Sequence, residues 1–186
     1  MTSLRADAVY QLKVTLKGSR PPIWRRLLVR ADTRLAKLHD ILQVAMGWTD
    51  DHLHQFEVGG RRIGVPRRDG WAEVEDERRV RLGEVAPGER ARFTYEYDFG
   101  DSWEHQIVVE KVRPTEPGAA YPVCLAGRRA GPPEDVGGVW RYEVFQEAIR
   151  DPAHPEHDEL REWVGGAFDP EAFDLEEVNA ALRRLR

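Results

Sequence analysis

In the stretch FTYEYDFGDSWEHQIVV, Phe93 to Val109, the side chains Phe93, Tyr95 and Tyr97 alternate with Thr94, Glu96 and Asp98. After Phe99-Gly100-Asp101-Ser102 the alternation resumes with Trp103, His105, Ile107 and Val109. A period of two residues is that of a half-buried strand, so the segment is read as an antiparallel hairpin. In this reading Gly100 supplies the positive φ of the turn, Asp98 and Asp101 cap its amides, and Phe99 and Trp103 anchor its base.

The same reading extends outward. Tyr10, Leu12, Val14 and Leu16 alternate with Gln11, Lys13, Thr15 and Lys17, and the five residues Gly18 to Pro22 separate this strand from a second over Ile23 to Val29, which makes an antiparallel pair. Thr33 is placed as the cap of a helix carrying Leu35, Leu38, Ile41, Leu42, Ala45 and Met46 at helical spacing, with Gly47 closing it. His52 to Val58 alternates as a strand, and Gly59-Gly60 turns it into a short strand over Arg61 to Val65. Residues 66 to 90 read as a long surface excursion with one helical turn near Val80 to Val85. Arg113 to Gly118 and the Gly- and Pro-rich Tyr121 to Gly138 read as loops. Helical periodicity returns over Trp140 to Ile149, after Pro155 as far as Gly165-Gly166, and behind the Asp174/Glu177 capping box. Strands followed by helices predict an α+β fold, a largely antiparallel sheet with helices on one face and a helical C-terminal third.

The chain has 186 residues, 41% apolar and 33% charged, which fits one globular domain over residues 1–186 and not a disordered chain. No apolar run approaches the roughly 20 residues of a membrane helix, and Met1 to Tyr10 holds no apolar signal region, so a cytoplasmic protein without a membrane partner is expected. Cys124 is the single cysteine, which excludes an internal disulfide. Residues 1–68 carry 13 Lys+Arg against 6 Asp+Glu, and the rest 15 against 27, giving +7 and −12. Arg20, Trp24, Arg25, Arg26, Arg30 and Arg34 form one basic cluster, and Arg61, Arg62, Arg67 and Arg68 another, which are candidate nucleic-acid contacts. The net charge of −5 disfavours that use, and the simpler reading is mutual attraction of the two halves.

Several strings together resemble the plasmid Ri ORF-three-like family, whose members carry insertion-sequence passenger or TnpR-type labels. They are YQLKVTLKGSRPPIWRRLLV (Tyr10 to Val29), LHDILQVAMGW (Leu38 to Trp48), HLHQF (His52 to Phe56), YEYDFGDSWEH (Tyr95 to His105), GPPEDVGG (Gly131 to Gly138) and HPEH (His154 to His157). The resemblance implies a mobile-element association and little about activity, since the family is essentially uncharacterised. The resolvase label finds no support in the residues. The chain has only Ser3, Ser19 and Ser102, the last between acidic neighbours, and no tyrosine-recombinase arrangement. Many relatives carry cysteines where this chain has Gly131 and Val136, so no thiolate site carries over.

His52 and His54 on one strand face, joined by His105 from the hairpin, form a candidate metal triad, and Asp98 and Asp101 add carboxylates to a candidate ligand-binding set. Their aromatic neighbours equally fit histidines packed in the core, and a small-ligand pocket is the third alternative. His154 and His157 read as helix-start residues. Asp98-Phe99-Gly100 matches the kinase magnesium motif only by coincidence, because no other kinase signature is present. The expected function is a non-catalytic binding or accessory module, with no catalytic residue assigned and an unknown protein or small ligand as partner. The alternatives are a divalent-metal hydrolase using the His/Asp set and a nucleic-acid-associated protein.

Overall fold

The computed structural model describes residues 7–66 and 73–185. Arg67 and Arg68 of the second basic cluster lie outside them. Eight strands form one sheet, β1 (Ala8–Leu16), β2 (Trp24–Arg30), β3 (His54–Val58), β4 (Arg61–Gly64), β5 (Glu75–Asp76), β6 (Arg92–Tyr97), β7 (Trp103–Pro114) and β8 (Val123–Arg128), in the order β5-β4-β3-β6-β7-β1-β2-β8. Every pairing is antiparallel except β4 with β5. The helices are α1 (Leu35–Met46), the short α2 (Leu82–Val85), α3 (Gly138–Arg150), α4 (His157–Trp163) and α5 (Leu175–Arg183). The class is α+β, with the last three helices following the sheet.

The alternation that predicted the strands is the alternation of burial. Leu12, Val14 and Leu16 of β1 and Trp103, His105, Ile107 and Val109 of β7 are buried in the core together with α1. The opposite face carries polar pairs, including Lys17 with Glu104 at 2.8 Å and Arg26 with Glu110 at 2.7 Å. A bulge where β1 meets β7 shifts the register between Gln11 and Leu12 and leaves Glu110 facing Arg26 and Gln11. Hydrogen bonding to Arg26 draws the Glu110 carboxyl down to about 2.

The structure corrects several expectations. The start of α1 is Arg34, without a side-chain cap, and the Thr33 carbonyl instead accepts the amide of Leu82. The excursion after Val65 is not wholly superficial: it contributes β5 and buries Glu77, Val80, Leu82, Val85 and Ala86. Strand β7 runs on to Pro114, and the segment read as a loop over Tyr121 to Gly138 contains β8, which pairs with β2. In the β6–β7 turn the left-handed residues are Asp98 (φ 58°) and Ser102 (φ 53°), not Gly100. Trp103 is fully buried beneath the turn, whereas Phe99 is exposed.

Candidate functional site

At one end of the sheet three connections meet: the α1–β3 loop with His52, the β6–β7 turn with Asp98, and the segment between β8 and α3 with Glu134 and Asp135. His52 precedes β3 and does not lie in it, so the strand spacing that paired it with His54 does not apply. Its Nε2 stands 3.0 Å from Asp135 Oδ1, 3.8 Å from Asp98 Oδ2 and 3.9 Å from Glu134 Oε2. The nitrogen is shielded from solvent, yet it is aligned with none of these oxygens for a hydrogen bond.

The surrounding hydrogen bonds fix the acids. The amide of Gly100 donates to Asp98 Oδ1 at 2.9 Å, and the amide of Gly137 donates to Asp101 Oδ2 at 2.9 Å. Asp101 therefore ties the 131–138 segment to the hairpin and does not face His52 in the same group. The Tyr97 hydroxyl donates to Glu134 and accepts the amide of Asp51, while the amide of Thr49 donates to Glu134 at 3.0 Å. Burial, followed by the Glu134 charge, raises the Tyr97 hydroxyl well above its ordinary value. Trp48 stacks on Tyr97 at 4.9 Å and donates its indole N–H to the carbonyl of Pro132 at 2.9 Å.

Two glycines hold the acidic segment where it is. A Cβ on Gly131 would stand 2.1 Å from the carbonyl oxygen of Met46, and one on Gly138 (φ 81°) would stand 2.7 Å from that of Asp101. Asp98 and Asp135, like Asp50 in the α1–β3 loop, adopt left-handed φ near 60°, a region that aspartate tolerates better than most residues.

His52, His54 and His105 do not converge. Among the described residues, the groups whose ligand atoms lie within 4.8 Å of one another are His52 with Asp98 and Asp135, and His39 with Asp50 and His54. His54 hydrogen-bonds Glu77 at 2.7 Å. His105 is completely buried beside Trp48 and Tyr95, with neither ring nitrogen hydrogen-bonded, and burial pushes its pKa down to about 4. His39 is likewise shifted down, by burial and then by the charge of His54 beside it. His39, Glu77, Glu134 and Asp135 were not singled out as ligands from sequence. The available signal was the pair of polar residues His39 and Gln43, four apart on the apolar face of α1, both buried.

The basic clusters do not make one surface, since β2 and β4 are separated by four strands. Arg25 is buried, donates to the carbonyls of Trp24, Ala45 and Arg128, and lies over the Phe173 ring. Burial lowers its pKa to about 10. Arg26 is committed to Glu110 and stacks with Lys13 about Trp24, and Arg61 pairs with Glu75. Arg20 and Arg62 are exposed at opposite ends of the sheet. A cavity of about 760 Å³ opens between the end of α1 and α5, lined by Met46, Trp48, Phe168, Phe173 and Arg25, apart from the His52 group.

The model of the family described as plasmid pRiA4b ORF-3-like protein matches residues 8–177. An uncharacterised protein, y4hQ of Sinorhizobium fredii (strain NBRC 101917 / NGR234), is 41% identical over 180 residues, 96% of this chain and 92% of its own. The crystal structure of MM3350, a protein of unknown function from Methanosarcina mazei Go1, superposes with a TM-score of 0.81 at 38% identity, covering 91% of this chain and 97% of that one. Among the described residues no helix is long and apolar enough to cross a membrane.

Proposed function

The chain belongs to the plasmid pRiA4b ORF-3-like family, whose matched relatives are uncharacterised, and on that premise we propose that it is a binding module whose ligand is a divalent cation held at the end of the sheet by His52, Asp98 and Asp135. The observation that carries this reading is the His52 Nε2, shielded from solvent, aligned for no hydrogen bond, and faced by three carboxylate oxygens within 3.9 Å. An imidazole nitrogen that makes no hydrogen bond offers a ligand its lone pair in the Nδ1–H tautomer, and an oxygen-rich set with one nitrogen suits a hard divalent ion such as Mn²⁺. Glu134, fixed by Tyr97 and Thr49, holds the acidic segment in register and supplies further negative potential.

Calorimetric titration of chelator-treated protein with Mn²⁺ tests this. One ion per chain is expected, lost on His52→Ala and weakened on Asp98→Asn. Mn²⁺ uptake that both variants retain would sink the reading. The Asp135 side chain is largely exposed, which leaves the ion open to water and favours metal-dependent hydrolysis as a second reading. Turnover of ester or phosphodiester probes by the Mn²⁺-loaded protein, absent in His52→Ala, would establish it, and inert loaded protein would leave binding alone.

A further inference from the structure

Strand β2 carries an arginine where its alternation calls for an apolar side chain. Arg25, Leu27 and Val29 are its core-facing positions, and Arg25 is only 2% exposed. Gly127, its partner across β2 and β8, clears the room: a Cβ there would stand 2.5 Å from the Phe173 ring and 2.9 Å from Arg25 Cδ. Phe173 thereby lies over the guanidinium at 4.6 Å, a contact with its face that leaves the N–H groups at its edge free to hydrogen-bond.

Three of the five N–H groups are accounted for. Nε donates to the Ala45 carbonyl in the last turn of α1 at 2.6 Å, and Nη1 donates to the carbonyls of Trp24 and Arg128 at 2.9 and 3.1 Å. Nη2 donates to none of the described residues and is not closed off from solvent, and Arg25 lines the cavity between α1 and α5. The three bonds tie the end of α1 to the sheet, but carbonyl dipoles carry no net charge. Among the described residues no carboxylate pairs with this guanidinium, which stays charged at neutral pH even with its pKa lowered to about 10 by burial. A buried cation without a counter-charge is costly, and the side on which this one can receive it is the cavity.

The cavity, of about 760 Å³, is the size of a small-molecule site. Met46 and Trp48 from the end of α1, with Phe168 and Val178 from the C-terminal third, give it apolar walls, and among the described residues Arg25 is the one cation lining it. The exposed side chains Asp174 and Glu177 also line it, and Asp174 is turned to the amides of Glu176 and Glu177 as the cap of α5. Their charges repel a polyanion such as a nucleotide. A ligand with one negative charge at its inner end and a neutral body meets Arg25 without that penalty.

We propose that this cavity binds a small organic monoacid, its carboxylate on Arg25 Nη2 and its apolar body against Met46, Trp48 and Phe168. The site shares no ligand with the His52 group and stands or falls separately from it.

Calorimetric titration of the chelator-treated full chain with 2-naphthoate and with octanoate tests the proposal. One molecule per chain of at least one acid is expected, with its neutral amide bound about 10- to 100-fold more weakly, the range of a hydrogen bond to a charged group. Arg25→Gln, which keeps an amide for the carbonyls and removes the charge, should bring the acid down to the affinity of its amide. Val178→Phe fills the cavity from α5 and should abolish binding, while His52→Ala should leave it unchanged. Circular dichroism establishes that each variant is folded, and if Arg25→Gln is not, the acid and amide compared on the unaltered chain still decide. Failure of both acids to bind overturns the proposal, as do equal affinities for acid and amide or binding that survives in folded Val178→Phe. Displacement of the acid by an equal concentration of inorganic phosphate would reveal a plain anion site and overturn it as well.

Discussion

The inner and outer histidine groups share one loop yet are built in opposite ways. Asp50 and His54 turn inward to His39, while His52 between them turns outward to Asp98 and Asp135. The inner rings are buried, stacked and hydrogen-bonded on their far sides, and the outer ring is partly exposed and makes no hydrogen bond. Inside, the fold specifies the imidazoles through their partners; outside, it specifies only the carboxylates and leaves the imidazole free. Burial without a partner is costly, so the inner residues bear on stability, whereas the outer ones bear on ligand affinity alone.

The sharpest break of that contrast is Glu77→Ala. It removes the partner of a buried imidazole, and the expected loss is about 3 to 5 kcal/mol, read from the urea midpoint. A loss below about 1 kcal/mol would mean that the inner pair is not structural.

His105 extends the contrast to an imidazole with no carboxylate at all. Its folded pKa of about 4 lies below the ordinary histidine value of about 6.5, so the unfolded chain takes up the proton first as pH falls. Its contribution is fully present above about pH 6.5 and is lost as pH drops toward 4, at roughly 1.4 kcal/mol per pH unit or about 3 kcal/mol in all. Denaturation at stepped pH should show this slope, and His105→Leu should flatten it; an equal slope in both proteins would exclude His105 as its source.

Gly138→Ala should cost about 1 to 3 kcal/mol for a left-handed residue pressed against a carbonyl, and should weaken Mn²⁺ binding without touching the acidic residues. Unchanged affinity would show that the 131–138 segment does not need this anchor. Smallest of all, His52→Ala should shift stability by no more than about 0.5 kcal/mol, as judged by thermal unfolding. A larger shift would erase the difference between the two groups.

The sequence made much of the fold legible because its periodicities are burial patterns. The alternation of Phe93 to Val109 became β6 and β7, and the 3.6-residue spacing ending at Gly47 became α1. Strand β8 was not legible, since VCLAGR lacks a clean alternation and is fixed by pairing with β2, about a hundred residues earlier. The candidate site was half legible. His52 and Asp98 do meet, but their partners Glu134 and Asp135 come from a distant segment that reads as ordinary polar loop. His54 found a partner on α1 and another in Glu77, which sits in a charged run that reads as solvated surface. Two side chains at a spacing of two cannot be assigned to one face when the strand starts only at the second of them, as β3 does at His54.

The acidic segment between Gly131 and Gly138 is fastened at each end by main chain against main chain, at Met46 and at Asp101. It is therefore a span of fixed length slung between two rivets. The six intervening residues cannot become five or seven without carrying Glu134 and Asp135 away from His52. Within this part of the chain, counting residues constrains the outer group more tightly than naming them.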